Sequence, residues 1–235
     1  MGISHYLAMT AEEMAAASFC PDSIAFMACH FSPYGTGITG CPEALPPNSM
    51  LILNDRIPFR GHDEAFIADQ LGQLAEMLQC TRLLLDFQRH DTPLSLGQTL
   101  VQTLSLPVCM PSAYAEGIAC PVFLPPVPPD QSLETYLQPW IGREIWLETT
   151  PESHLLTLDS QGCRRTQAPP VQEQDLLLSD SCLHCHYRTT IFTDKAEFLL
   201  QRTAEDMVQL LLNGDSLGIA CTVALYQQVK KLPVK

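Results

Sequence analysis

The sequence predicts an α/β protein, a compact (β/α)8-type, TIM-like barrel with an incomplete helical ring, and three observations carry that prediction. Short runs that are apolar throughout recur along the chain, as expected of parallel strands covered on both faces. Segments with helical spacing alternate with several of these runs. At 235 residues and 46% hydrophobic side chains, the chain is near the lower end of the barrel's usual length and can fill a continuous core. Residues 1–235 are therefore expected to form a single barrel domain.

Thr10, followed three residues later by Glu13, has the pattern of a capping box and predicts a short opening helix over 10–17. The first strand is read at Ser23–Phe31, closed by Ser-Pro-Tyr-Gly, and the second at Met50–Asp55. Phe66, Ile67, Leu71, Leu74, Ala75 and Leu78 then recur at helical spacing within 63–79. Arg82–Asp86 is the third strand, 94–104 a short helix, 106–113 the fourth strand and 119–125 the fifth. A brief helix over 132–140 precedes the sixth strand at 144–148. Asp159-Ser-Gln-Gly162 predicts the turn of an inserted β-hairpin over 154–167, outside the barrel.

Cys182–Arg188 is read as the seventh strand, 195–212 as a strongly amphipathic helix, 217–224 as the eighth strand or the start of a final helix, and 226–231 as helical. The connections after the first and fourth strands are too short for full helices, so the ring should be incomplete there. An open doubly wound sheet is the competing architecture. No Gly-rich phosphate loop follows any strand, which weakens its nucleotide-binding form and leaves no cofactor signature.

With 26 acidic and 13 basic residues the formal charge is −13, which repels nucleic-acid phosphates and anionic lipid alike. Neither nucleic acid nor membrane is expected as a partner, and no apolar run is long enough for a spanning helix. Residues 1–17 carry Glu12 and Glu13 and lack the form of a signal peptide, so a cytoplasmic protein is expected. Cys29, Cys80, Cys109, Cys120 and Cys221 sit in or beside apolar runs and read as reduced core thiols.

Working groups of such barrels gather where strands end. His30, Asp55, Asp86, Glu116 and Glu148 stand near predicted strand ends, with His30, Asp55 and Asp86 expected to share one pocket. Carboxylates there can hold a proton, bind a metal or accept from sugar hydroxyls. They can equally cap helices or pair with Arg56, Arg89 or Arg143. Tyr34 and Tyr114 follow strands and offer hydroxyls to a small-molecule or glycan ligand. His184 and His186, with Cys182 on the same face of a strand, are the candidate metal ligands, joined by Asp55 or Asp86.

The helix leading into Thr81-Arg-Leu-Leu-Leu-Asp86-Phe-Gln88 resembles the chitinase-like family-18 glycoside hydrolase barrels, whose central strand ends in D-x-x-D-x-D-x-E. Thr81, Leu84, Asp86 and Gln88 fall on the four motif positions, so only Asp86 matches. The run from Tyr187 through Asp194, a long helix and Gly218-Ile-Ala is similar to the end of those barrels. The resemblance implies a glycan-binding relative in which Gln88 replaces the catalytic acid, because an amide has no proton to give. Two other readings stand beside it: a metal-dependent hydrolase built on His184 and His186, and a binding or scaffold protein without small-molecule chemistry.

Overall fold

The computed structural model describes residues 2–17, 23–61, 63–172, 175–176, 178–212 and 214–229. Eight parallel strands close into a barrel: β1 (Ser4–Met9), β2 (Ile24–Phe31), β4 (Met50–Asn54), β5 (Arg82–Asp86), β6 (Val108–Pro111), β7 (Val122–Leu124), β8 (Ile145–Glu148) and β14 (Ile219–Leu225). The pairing runs in chain order from β2 to β14. β1 then pairs with both β14 and β2 and completes the ring. A two-residue strand, β3 (Ile38–Thr39), returns antiparallel along β2.

The strands read as continuous apolar runs because both faces are covered. All five residues of β4 are buried. Met50 and Ile52 point into the barrel beside Tyr6, Ala25, Leu84, Trp146 and Val223, while Leu51 and Leu53 face outward. On that outer side α2 (Glu64–Met77) lays down Ile67, Ala68, Leu71 and Ala75. Burial of each such leucine or isoleucine contributes about 1.5–3 kcal/mol. Asp63 starts this helix by accepting from the amides of Ala65 and Phe66.

The helical ring is incomplete where the sequence predicts: β2 is followed by the β3 return and β6 by a turn. The α-helices among the described residues are α1 (Ala11–Ala16), opened by the expected Thr10–Glu13 capping box, α2, α3 (Leu94–Thr103), α4 (Leu133–Leu137), α5 (Ala204–Leu211) and α6 (Tyr226–Val229). Lys230 and Lys231, expected in the last helix, lie outside the described residues. No helix among the described residues is long and apolar enough to cross a membrane.

Three sequence expectations need correction. β1 is a barrel strand in a segment for which the sequence predicts no element. Cys182–His184 is a turn, and the strand that follows, β12 (Cys185–Ile191), belongs to a separate antiparallel sheet. The segment 195–212 divides into β13 (Lys195–Gln201) and α5, split at Thr203, whose capping box with Asp206 starts the helix.

The predicted hairpin is therefore one part of a five-stranded insertion between β8 and α5. Its strands are β9 (Ser153–Asp159), β10 (Gly162–Gln167), β11 (Leu178–Asp180), β12 and β13, in the order β10-β9-β13-β12-β11. The hairpin turn forms as read, with Asp159 accepting from the Gln161 amide and Gly162 at φ +116°. Arg202, 2% exposed, fastens the insertion to the loop after β7. Its guanidinium donates to the carbonyls of Val127, Gln131, Leu183 and His184.

Candidate functional site

Parallel strands aim their last residues at one rim, and side-chain alternation decides which of those residues look into the barrel. Arg82, Leu84 and Asp86 share the inner face of β5, as do Trp146 and Glu148 on β8, and Met50, Ile52 and Asn54 on β4. The lower end is plugged: the Arg82 guanidinium lies 5.4 Å from the Tyr6 ring centre and 5.8 Å from that of Trp146, and donates to the Tyr6 hydroxyl. Ile52, Leu84 and Trp146 form an apolar floor. Above it the inward polar groups are Asn54, Asp86 and Glu148.

Asn54 is spent on the scaffold, its amide donating to the carbonyls of Met27 (3.2 Å) and Cys29 (2.9 Å), where the β2 register shifts. Asp86 and Glu148 remain. Half-buried Asp86 accepts from the Gln88 amide at 3.0 Å, and Glu148 accepts from the Thr150 hydroxyl at 2.6 Å. Burial raises the proton affinity of Glu148, and the charges of Glu152 and Asp86 raise it further against the Thr150 hydrogen bond. Tyr136, from α4, lies near Glu152 and Glu148. Burial, with the charges of Glu152 and Glu148 behind it, pushes its phenol up to about 12 while the hydroxyl donates to the Pro125 carbonyl at 2.9 Å.

Asp55 leaves β4 on another course. At 2% exposure its carboxylate accepts from the amides of Gln88 and Arg89, both at 2.9 Å, and from the Thr92 hydroxyl at 2.7 Å. It thereby shapes the loop that presents Gln88 to solvent. Tyr114 braces the same loop, donating to the Arg89 carbonyl and meeting Phe87 edge-on at 5.8 Å. Burial, then the charge of Asp55, raises the Tyr114 phenol.

Asp86, Gln88 and Glu148 thus converge on the barrel mouth, with Asp55 and Tyr114 beneath the Gln88 loop. His30 is level with Asn54 at the end of β2, but its Nδ1 is bonded to the Ala28 carbonyl at 2.8 Å and its ring lies against Gly40. The single pocket expected for His30, Asp55 and Asp86 is therefore three separate environments at one end of the barrel. Tyr34, 87% exposed, and Glu116, also exposed, stand in the loops after β2 and β6.

The alternative metal centre at His184 and His186 is not assembled among the described residues. The turn at 181–184 breaks the alternation on which it depended, and His184 sits there at φ +47°. His186 Nδ1 lies 2.8 Å from the Asp206 carboxylate, which also serves the α5 capping box. Among the described residues, no group of three or more His, Cys, Asp or Glu is placed to hold a metal ion.

Tyr136 and Glu152 escaped the sequence reading. Glu152 follows Glu148 by four residues in a Thr-Thr-Pro segment, which marked it as loop. Tyr136 lies in a five-residue helix whose facing is set by the Ser132 cap and the Pro-rich approach.

No protein-family model matches the chain, and no curated protein does. Solved structures do share its fold. The chitinase from Chromobacterium violaceum ATCC 12472 superposes with a TM-score of 0.53 at 12% identity, over 96% of this chain and 94% of that one. The spore cortex-lytic enzyme SleL of Bacillus cereus gives 0.52 at 9% identity, over 99% and 72%. The chitinase-like agglutinin RobpsCRA from Robinia pseudoacacia gives 0.51 at 12%, over 93% of each chain. The resemblance expected from residues 63–89 is thus present at the level of the barrel.

Proposed function

We propose that this chain is a glycoside hydrolase-like barrel that binds a carbohydrate at the C-terminal mouth and does not cleave it by the family-18 route. The observation that carries the reading is Gln88: it stands at the strand-end position of the acid, solvent-exposed and hydrogen-bonded to Asp86. An amide cannot protonate a leaving glycosidic oxygen, but together with a carboxylate it can bind hydroxyl and acetamido groups. An apolar floor with a few convergent polar groups is the ordinary form of a small-ligand site. Its carboxylates favour an uncharged or cationic sugar over an anionic one. That this fold is found both in chitinases and in a chitinase-like agglutinin supports a barrel adapted to either use.

The test pairs turnover with binding. Purified protein is assayed against chitin-type oligosaccharides and their chromogenic glycosides from about pH 4 to about pH 8, a range that spans the titration of carboxyl donors. Calorimetry with the same oligosaccharides runs in parallel. The expected result is binding that Asp86→Ala weakens, without turnover. Robust hydrolysis lost in Asp86→Ala would show that another donor replaces the missing acid and would overturn the non-catalytic reading. Absence of binding to every oligosaccharide would overturn the ligand class.

A further inference from the structure

Where β3 returns along β2, the fold brings two thiols together. Pairing of His30 with Thr39 carries Gly40 and Cys41 back past the end of β2. Gly40, at φ +74°, presses so closely that a Cβ there would lie 2.2 Å from the Ala28 carbonyl oxygen and 3.0 Å from the His30 ring. Cys41 thereby reaches Cys29, and the two side chains share a hydrogen bond. The partners are unlike: Cys29 is fully buried between strand and helix, whereas Cys41 is exposed.

We propose that Cys29 and Cys41 form a reversible disulfide site, closed by exchange with a low-molecular-weight disulfide such as glutathione disulfide. The asymmetry assigns the roles. The hydrogen bond from Cys29 lowers the proton affinity of Cys41, so the accessible sulfur is the nucleophile. That same bond, and then burial, holds the proton on Cys29 and keeps it in reserve as the resolving thiol. Nearby Cys80 is pushed up to about 11 by burial and stays protonated.

In the first step the Cys41 thiolate attacks one sulfur of the small disulfide. That S–S bond breaks, one glutathione thiolate leaves and takes up the proton Cys41 gave. Cys29 then loses its proton and attacks the Cys41 sulfur of the mixed disulfide, expelling the second glutathione, which takes that proton. The protein loses two electrons and two protons, and one small disulfide becomes two small thiols. Closure ties both ends of the loop that carries Tyr34 at the rim of the barrel. The site is independent of what the mouth binds.

The experiment uses reduced full-length protein carrying Cys20→Ser, so that no third thiol shares the peptide. It is equilibrated with mixtures of reduced and oxidised glutathione, alkylated, and measured by intact mass and by peptide mapping after cleavage between positions 29 and 41. The expected result is a mass loss of two hydrogens, a linked Cys29–Cys41 peptide, and reversal by excess reduced glutathione. Cys41→Ser, a change at an exposed position, abolishes the loss, and Cys29→Ser leaves a persistent glutathione adduct on Cys41. A persistent adduct on Cys41 in protein that retains Cys29 would overturn the proposal. So would reaction at the exposed Cys163 and Cys182 while Cys41 stays unmodified, or a linked peptide joining any other pair.

Discussion

Replacing Asp55 by alanine tests whether one buried carboxylate orders the rim of the candidate site. The side chain is 2% exposed and receives two main-chain amides and one hydroxyl at 2.7–2.9 Å. Each bond to a charged acceptor is worth about 1.5–3 kcal/mol, and an unmet buried donor costs a similar amount. The three share one group, so they do not add fully, and the expected loss is about 3–5 kcal/mol. For a chain of this length that lowers Tm by roughly 10 °C. Urea denaturation gives the free energy, while hydrogen exchange should show lost protection at the Gln88 and Arg89 amides. Asp86→Ala is the control: half-buried and bonded to one exposed side chain, it should cost under about 1 kcal/mol. Loss below about 1 kcal/mol in Asp55→Ala, with both amides still protected, would refute the assignment.

Glu148→Gln keeps an acceptor for Thr150 and removes a charge that burial disfavours. A carboxyl whose folded-state proton affinity is raised stabilises the fold fully below its ordinary value of 4.5, and that contribution is lost as pH rises through the higher folded value. The variant should therefore gain on the parent at about pH 8 and lose the advantage at about pH 4, as read by paired urea titrations. Arg202→Lys cannot serve four carbonyls from one ammonium, and should cost about 2–4 kcal/mol by denaturation. Gly40→Ala places a methyl against a fixed carbonyl at positive φ. It should lose about 2 kcal/mol or more by the same measure.

The barrel was legible where local pattern and burial coincide. Met50–Leu53 and Leu83–Leu85 are apolar on both faces because floor and helix layer each claim one, and Asp63 announces α2 by its own capping bonds. β1 escaped notice because its outward His5 is polar. That histidine is satisfied 217 positions away by the Thr222 hydroxyl at 2.8 Å, a partner no local window contains. Lys195–Gln201 reads as helix because Ala, Glu and Leu favour one. It is held as a strand by β9 and β12 on its two sides, although Thr203 and Asp206 already marked the true helix start. In the candidate site, Asp86 and Glu148 were visible as strand ends, and Gln88 as the last position of the motif alignment. Asp55 was visible as a residue but not as a loop organiser, since its three donors come from 33 to 37 positions later.

The ring closes between β1 and β14, the staves most distant in sequence, with Ser4 opposite Cys221 and Ala8 opposite Leu225. Staves from β2 to β8 can add to neighbours as they leave the ribosome, whereas the outer edge of β1 stays unpaired until nearly the whole barrel has been synthesised. Exposed main-chain donors and acceptors on that edge are a template for pairing with another chain. The insertion lengthens the wait, because β9 to β13 must emerge between β8 and β14. Closure is thus a late, long-range step, and the interval before it is when the nascent chain is most open to misassociation.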